Sequence, residues 1–261
     1  AHWIDIQREE FKRLGVEGNW DNPYTTMTYA AEAQIVAELG KFLLNGGLFK
    51  GAKPVMWSVV EKTALAEAEV EYKDHKSTTI WVRFPVASAP AESLTGASVM
   101  IWTTTPWTIP GNRAVAYGPD MDYVVIEVAA VTEDSLAQPG EKLVLAEALA
   151  AKVAEDTGIA DYKTLENLKG TDLSGAVCHH PFHGQGYDFD VPLLPGDHVT
   201  AEDGTGFVHT APGHGVEDFV VGQAHDIEIP QTVGPDGLFY DHVPLFAGDH
   251  VYKVNGKVAD T

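Results

Sequence analysis

A threonine-rich segment is the first group of side chains in this sequence that could do chemistry. Residues 101–112 read IWTTTPWTIPGN, with hydroxyls at Thr103, Thr104, Thr105 and Thr108 and an amide at Asn112. Hydroxyls both donate and accept hydrogen bonds, which suits binding a ribose or an adenine edge, or positioning a water molecule. Threonine is also common in strands. The two prolines of the segment, however, predict a rigid loop where a strand ends.

A second segment, GTGFVHTAPGHGVEDF at residues 204–219, combines histidine, glycine and aspartate. Its pattern predicts a short strand through His209 and a helix that begins after Gly215, with Asp218 in the first turn. Each residue has an ordinary explanation, since a histidine can be satisfied at a strand end and the helix dipole favours an early carboxylate. The surrounding glycines would allow a ligand close to the backbone. We therefore interpret His209 and Asp218 as flanking a ligand-binding loop.

Two groups of residues invite a metal interpretation. One is His209, His214 and Asp218, and the other is Cys178-His179-His180 with His183. Neither spacing matches a zinc signature such as two histidines one helical turn apart with a glutamate between them. We predict neither a metal nor a cofactor, and the stretch 178–186 receives no role. The chain also lacks a G-x-S-x-G elbow, a P-loop lysine motif and a dinucleotide fingerprint.

The charge balance limits the partners. The chain has 261 residues, 38 acidic and 17 basic side chains, and a formal net charge of -21. Such an acidic surface is not expected to bind a long stretch of nucleic-acid backbone or an anionic membrane, because both carry negative charge. No run approaches about eighteen consecutive apolar residues, so no membrane partner is predicted. The single cysteine, Cys178, suits a reducing cytoplasm. We expect the chain to be a fragment of a longer protein.

The elements that must position these side chains change in character near residue 50. Residues 1–50 are predicted to be mainly helical, with one helix over Tyr29–Leu44 whose apolar positions fall on one face. From residue 51 onward, short β-type runs separated by turns predict a barrel or sandwich. The predicted strands are 79–84, 98–103, 113–117, 123–128 and 206–210. Further helices are predicted over 146–156, with Leu145 on its apolar face, and from about 216 to 224.

The two polar segments together resemble the editing domain of isoleucyl-tRNA synthetase, an insertion in the class I catalytic domain. WTTTPWTIPGNRAV and GTGFVHTAPGHGVEDF carry the resemblance, supported by FKRLGVEGNWDNPYTTM, KGAKPVMW, ALAEAEVEY, FDVPLLPGDHV and GPDGLF. Valyl and leucyl editing domains usually have arginine where this chain has Thr105. The resemblance implies a mainly β, α+β fold of the barrel-like editing type. Residues 1–50 would be a helical lead-in from the parent catalytic domain, and 51–261 the editing domain.

The activity implied by the resemblance is post-transfer editing, the hydrolysis of valine wrongly esterified to isoleucine tRNA. One missing methylene distinguishes the two amino acids by only about 1–3 kcal/mol, a value for which isoleucyl-tRNA synthetase is itself the reference case. A second, smaller site can destroy the error. Asp218 would hold the α-ammonium group, while Thr105 and His209 would form the sieve that excludes isoleucine.

The remaining implied residues surround the substrate. The hydroxyls of Thr103, Thr104 and Thr108 would bind the terminal adenosine and position water, with Asn112 in support. The further residues implied to contact substrate are Trp107, Gly213 and His214. The implied partners are the 3′-terminal adenosine of mischarged tRNA and the remainder of the parent synthetase in cis.

Three departures and three alternatives accompany this resemblance, and the first departure is the histidine-rich stretch 178–186, which matches no stretch of the family. Ser58 and Glu61 stand where many members have a cysteine pair, so no zinc is expected there, and Gly111 stands where alanine is common. Neither class I catalytic signature, the HIGH type or the KMSKS type, occurs in the chain. The alternatives are a valyl- or leucyl-type editing domain, a non-catalytic module that docks tRNA ends or a protein partner, and a metal hydrolase.

Overall fold

A computed structural model describes residues 2–261, and its contacts divide the chain into two units, one ending at Gly51 and the other comprising Ala52–Thr261. The first unit contains helices α1 (His2–Arg13) and α2 (Tyr29–Leu44). The predicted helix over Tyr29–Leu44 is confirmed, and Thr28 caps it by accepting the Ala31 N–H at 3.3 Å. No described residue of α1 or α2 is buried. The apolar face of α2 is thus exposed.

The second unit consists of short strands with three helices. Its elements are β1 (Trp57–Ser58), β2 (Thr63–Ala64), β3 (Ile80–Ser88), β4 (Ala97–Thr103), β5 (Ala114–Tyr117), β6 (Asp122–Val131), β7 (Lys142–Ala146), α3 (Ala150–Thr157), β8 (Ile159–Lys169), β9 (Val177–His179), β10 (Asp190–Pro195), β11 (Phe207–Thr210), α4 (Val216–Ala224) and α5 (Asn255–Asp260). Short 3-10 turns lie between them, and the one over Pro106–Gly111 follows β4.

Nine of the strands form one sheet in the order β11-β5-β10-β9-β3-β4-β7-β6-β8, while β1 and β2 form a separate pair. The pairs β10–β5 and β4–β7 are parallel, and the others are antiparallel. The sheet is curled, as shown by the packing of its end strand β11 beside the more central strand β4. Within residues 2–261 the two end strands do not pair with each other. The predicted mainly β, α+β class is therefore confirmed, in an open, curled sheet rather than a closed barrel.

The core lies against the central strands, where apolar side chains are fully buried. Phe84, Ile101, Tyr123, Leu143 and Leu145 are each 0–1% exposed. The Tyr123 hydroxyl joins distant parts of this core, since it accepts the Gly118 N–H at 2.8 Å and donates to the Gly206 carbonyl at 2.8 Å. Both hydrogen bonds satisfy polar groups that would otherwise be buried without partners. They fix the chain just before β11, which carries His209.

The structure differs from the predicted elements around residue 146. The helix predicted over 146–156 begins only at Ala150, because β7 continues to Ala146 and a 3-10 turn follows it. Leu145 was expected on the helix face but lies in β7, where its side chain is buried. Gly158 ends α3 in a left-handed conformation with φ of 71°. None of the helices within residues 2–261 has the length and apolarity needed to cross a bilayer.

Candidate functional site

The two polar segments come together at one end of the curled sheet. The chain leaves β4 after Thr103 and turns through Pro106–Gly111, and β5 then pairs with β11 so that Val115 lies opposite His209. A cavity of about 200 Å³ lies between the turn and the end of β11. It is smaller than the roughly 300–1,000 Å³ of sites for drug-sized ligands. Its lining residues are Trp102, Thr103, Thr105, Thr108, Val208, His209, Ala211, His214 and Asp218.

Three of the four predicted threonines form a connected set of hydroxyls. Thr103 Oγ1 lies 3.2 Å from Thr105 Oγ1, which is 3.5 Å from Thr108 Oγ1. The Thr108 hydroxyl is 2.8 Å from Nε2 of His209 and donates its proton to the Thr105 carbonyl at 2.8 Å. Pro106 begins the 3-10 turn, and the turn brings Thr108 back toward Thr105. The polar groups therefore form one network along the cavity wall.

The contacts of His209 select one tautomer of its imidazole. The amide nitrogen Nδ2 of Asn112 donates to the Ala114 carbonyl at 2.8 Å and lies 3.3 Å from Nδ1 of His209. Because Nδ2 is a donor, Nδ1 must accept, and the ring proton is on Nε2. Nε2 then donates to Thr108 Oγ1, whose own proton goes to the Thr105 carbonyl. Both ring nitrogens of His209 are thus already engaged, which leaves neither free as a proton acceptor.

Burial keeps the two histidines of the cavity neutral. Desolvation, with a smaller contribution from nearby His214, lowers the pKa of His209 to about 4. Desolvation also lowers the pKa of His214 to about 4. The His214 ring is held by a hydrogen bond to Thr232 Oγ1 at 2.9 Å and packs edge-on against Trp107, with ring centroids 4.9 Å apart. At neutral pH the site therefore presents uncharged imidazoles.

Asp218 is the acidic side chain of the cavity. Its Oδ2 accepts the Ala211 N–H at 2.9 Å. Asp218 therefore binds the backbone of the loop that precedes α4, and not the first turn of its own helix. A Cβ on Gly215 would lie 2.9 Å from Oδ2, so a larger residue at position 215 would require the Asp218 carboxylate to shift. No described residue donates to Oδ1. Desolvation raises the pKa of Asp218 above the ordinary aspartate value. A bound cation would favour the charged form.

Four predicted site residues do not line the cavity. Thr104 is exposed, and Asn112 is fully buried behind His209. The Trp107 ring packs against His214, and the backbone N–H of Trp107 donates to Asn255 Oδ1 at 3.1 Å. Gly213 lies outside the lining and close to the backbone of residue 230. Asn112 and Trp107 thus support residues that line the cavity.

Several contributors were absent from the sequence-based prediction. Trp102, Val208 and Ala211 also line the cavity, and Thr232 holds His214. Trp102, Val208 and Ala211 lie inside the two segments recognised from the sequence, but strand alternation would have placed Trp102 and Val208 on the face opposite Thr103 and His209. Nothing in the local sequence pairs Thr232 with His214, which is 18 positions away.

The two metal interpretations lack a complete ligand set. Among residues 2–261, no three His, Cys, Asp or Glu side chains group as a metal ion would require. His179 stacks on His183 with ring centroids 4.2 Å apart, and Ser58 hydrogen-bonds to Glu61. Burial raises the pKa of the Cys178 thiol to about 12, so this side chain behaves as part of the core.

A family model decides the relationship of this chain to known proteins. The model described as tRNA synthetases class I (I, L, M and V) matches residues 1–247. The chain belongs to the class I tRNA synthetases. As a member of that family it is 53% identical over 271 residues to the isoleucine–tRNA ligase of Bradyrhizobium diazoefficiens, and 53% identical over 262 residues to that of Gluconobacter oxydans. Each match covers 100% of this chain and 27% of the relative.

The class I synthetase segment therefore spans about a quarter of the length of these curated relatives. The resemblance to isoleucyl-tRNA synthetase predicted from the sequence is confirmed. The crystal structure described as GlLeuRS-CP1 matches with a TM-score of 0.52 and 13% identity, over 70% of this chain and 94% of that one. At this identity the likeness concerns the fold, and the segment shares the fold of that structure.

Proposed function

We propose that this synthetase segment is an editing domain that hydrolyses the ester of valine wrongly attached to isoleucine tRNA. The observation that carries the proposal is the 200 Å³ cavity, which combines a hydroxyl network, a neutral histidine and a carboxylate. A valyl ester offers matching chemistry: an ammonium group, a small apolar side chain and ribose hydroxyls. The family membership and the isoleucine–tRNA ligase relatives support the same proposal.

Asp218 binds the α-ammonium group of the substrate in this proposal. One carboxylate oxygen is fixed by the Ala211 N–H, and the other is left for a ligand. An ammonium group would form a charge-assisted hydrogen bond there, stronger than one between neutral groups. It would also offset the desolvation that raises the pKa of Asp218. Recognition of the ammonium group would orient the ester toward the threonines.

Hydrolysis requires a positioned water molecule. The water oxygen attacks the ester carbonyl carbon, the bond to the ribose oxygen breaks, and that oxygen leaves as a hydroxyl. The products are free valine and intact tRNA. Thr103, Thr105 and Thr108 would hold the terminal adenosine and the water, with Thr104 at the exposed rim. Because both nitrogens of His209 are engaged, we assign it to the wall of the cavity, and the free ribose hydroxyl is our candidate to assist the water.

Selection against isoleucine follows from the size of the cavity. Thr105 and His209 would form the sieve, with Trp107, Gly213 and His214 shaping the remainder of the site. We expect Thr105→Ala to admit isoleucyl-tRNA, and His209→Ala to do the same at a cost in stability because His209 is buried. If both variants still spare isoleucyl-tRNA while hydrolysing valyl-tRNA, these residues are not the sieve.

The deciding experiment is a deacylation assay on valyl-, threonyl- and isoleucyl-tRNA, with and without a chelator. We expect hydrolysis of valyl-tRNA, little of isoleucyl-tRNA, and no effect of the chelator. Preference for the threonyl ester would favour a valyl-type editing domain, and tRNA binding without hydrolysis a docking module. Loss of activity with the chelator would favour a metal hydrolase.

Asp218→Asn tests the ammonium contact directly. It keeps the size of the side chain and an oxygen for the Ala211 N–H but removes the charge. We expect valyl-tRNA hydrolysis to fall by about a hundredfold or more, as when a charged contact to substrate is lost. The neighbouring, exposed Glu217→Gln is the matched control. Equal rates in Asp218→Asn and Glu217→Gln would remove Asp218 from the proposed role.

The setting of the domain is part of the proposal. Residues 1–50 would lead in from the catalytic domain of the parent synthetase, and 51–261 would form the editing domain. In this proposal the residues that bind the tRNA phosphates lie elsewhere in that synthetase and act in cis, because a chain with a net charge of -21 is poorly suited to bind phosphates. We propose the cytoplasm as its location, where charged tRNA is used.

A further inference from the structure

The histidine-rich stretch after β9 packs directly behind the candidate site. His180 is 1% exposed, and its ring is surrounded by aromatic side chains. It stacks on Tyr187 with ring centroids 4.6 Å apart and planes 13° apart. The rings of Phe84, Phe182 and Phe189 enclose the rest of it, at 5.4–6.2 Å between centroids. The orientation of the His180 ring is therefore fixed by packing.

Both nitrogens of this ring have backbone partners. Nδ1 lies 3.1 Å from the Phe182 nitrogen, and Nε2 lies 3.0 Å from the Ile109 carbonyl oxygen. A backbone N–H can only donate, so Nδ1 accepts and Nε2 carries the proton that it donates to Ile109. Desolvation lowers the pKa of His180 to about 3, which keeps this arrangement neutral at physiological pH. A phenylalanine could fill the same space but could not make either hydrogen bond.

The Ile109 carbonyl links His180 to the cavity. This oxygen also accepts the backbone N–H of Asn112 at 2.9 Å, so it holds two donors at the end of the Pro106–Gly111 turn. The Asn112 side chain then donates to Nδ1 of His209, and His209 donates to Thr108. His180 is thus linked to the hydroxyls of the cavity through hydrogen bonds and the covalent structure of Asn112.

We propose that His180 is a positioning residue for the editing site, which holds the Pro106–Gly111 turn so that Asn112 keeps His209 in its Nε2–H tautomer. The effect of His180 on hydrolysis rests on the proposed editing function. Its effect on the His209 tautomer does not, because the tautomer can be measured without substrate. Without the bond from His180, the Ile109 carbonyl loses one of its two donors, and the C-terminal end of the turn loses one of its hydrogen bonds to the core. Asn112 and Thr108 would then be free to shift relative to His209.

Two conservative substitutions separate positioning from simple packing. A glutamine can place its amide nitrogen near the position of Nε2 and keep the donor to Ile109. An asparagine reaches only the position of Nδ1, so it can keep the bond with Phe182 but not the one with Ile109. We expect His180→Gln to retain the wild-type behaviour of the site, and His180→Asn to lose it. His180→Phe, which keeps the ring and removes both nitrogens, replaces the asparagine variant if that one fails to fold.

Two readouts are measured on the whole chain. The first is the ¹⁵N chemical shifts of the His209 ring, which report its tautomer without any substrate. The second is kcat and KM for valyl-tRNA hydrolysis. In His180→Asn we expect a mixture of His209 tautomers and a kcat about ten- to a hundredfold lower with a smaller change in KM, because a small displacement of groups around reacting atoms is costly. In His180→Gln both readouts should stay close to wild type.

The outcomes separate the two proposals. If wild type hydrolyses no ester but His180→Asn alters the His209 tautomer, the proposed function fails and the positioning role stands. If wild type is active and all His180 variants leave the tautomer and kcat unchanged while only lowering the unfolding midpoint, His180 is a core residue and this inference is wrong.

Discussion

Thr108 is the residue on which the hydroxyl network of the site converges. It is 6% exposed, accepts from His209 Nε2 and donates to the Thr105 carbonyl. Removing the hydroxyl leaves the buried Nε2–H of His209 without a partner, while the Thr105 carbonyl keeps the backbone N–H of Thr108 at 3.0 Å. A buried polar group without a hydrogen bond costs more free energy than an average hydrogen bond contributes.

Thr108→Val should therefore lower the free energy of unfolding by about 1–3 kcal/mol, since valine has nearly the same shape but lacks the hydroxyl. The matched control is Thr104→Val, because Thr104 is exposed and should change stability by no more than about 0.5 kcal/mol. Urea unfolding of both variants measures the difference. Equal stability of the two would show that the Thr108 hydroxyl is not engaged as described.

At the scale of elements, the approach of β11 to β7 depends on one glycine. Gly206 precedes β11 with φ of 80°, and a Cβ there would lie 2.3 Å from Cβ of Ala146 at the end of β7. The Ala146 N–H also donates to the Thr205 carbonyl at 2.8 Å. The close approach sets the position of β11 and, with it, His209.

Gly206→Ala should thus destabilise the chain by more than the cost of its backbone conformation alone. Gly140→Ala is the matched control, since Gly140 has φ of 91° but nothing within 4 Å of the added carbon. We expect about 1–2 kcal/mol for Gly140→Ala from the left-handed conformation, and a clearly larger loss for Gly206→Ala from the added clash. Thermal unfolding would contradict this if it gave the two variants the same midpoint.

The strands nearest the site were predictable because their sequences carry local signals. β-branched residues continue through the end of β4 until Pro106 interrupts them. The glycines on either side of β11 delimit a short apolar run. The strand β8 has no such signal, because it pairs only with β6 at the end of the sheet and most of its side chains are exposed. Its polar sequence resembles a loop until β6 is known to lie beside it.

The same limit applies to the site. Thr105, His209 and Asp218 were predictable because they lie in two compact segments. The contact between His180 and Ile109 joins residues 71 positions apart, and only the curled sheet brings them together. The four threonines were predicted as one group, although only Thr103, Thr105 and Thr108 line the cavity.

For the whole molecule, the buried His180 and His209 and the half-buried His214 predict sensitivity to acid. Burial lowers the pKa of His180 to about 3 and those of His209 and His214 to about 4, all below their values in an unfolded chain. Between about pH 6.5 and 4 the unfolded chain therefore binds more protons, and stability present above pH 6.5 is lost as pH falls. Asp218, with its raised pKa, acts in the opposite direction.

Urea unfolding at about pH 7 and about pH 5 should show this loss, at up to about 1.4 kcal/mol per pH unit for each histidine. Glutamine does not titrate, so in His180→Gln the dependence of the unfolding free energy on pH should be smaller by the contribution of one histidine. The exposed His2→Gln is the control. The same pH dependence in wild type and His180→Gln would contradict the buried, neutral state of His180.

The charge of the whole chain predicts how tightly it holds tRNA. With 38 acidic and 17 basic side chains, we expect weak binding of valyl-tRNA and a shallow dependence of affinity on salt, because few phosphates can be neutralised. Binding measured across a salt series tests this. A tight complex that weakens steeply with salt would mean that this segment itself contains the residues that bind the tRNA phosphates.

The engaged nitrogens of His209 have a consequence for the accuracy of translation. A proofreading site that used a titrating imidazole as its base would gain and lose efficiency as the cell interior drifted around neutrality. Here the ring is neutral and fully hydrogen-bonded, so no imidazole of the cavity changes charge between about pH 6.5 and 8. In the proposed role, these histidines would not alter the frequency of valine-for-isoleucine errors during a mild shift in cellular pH.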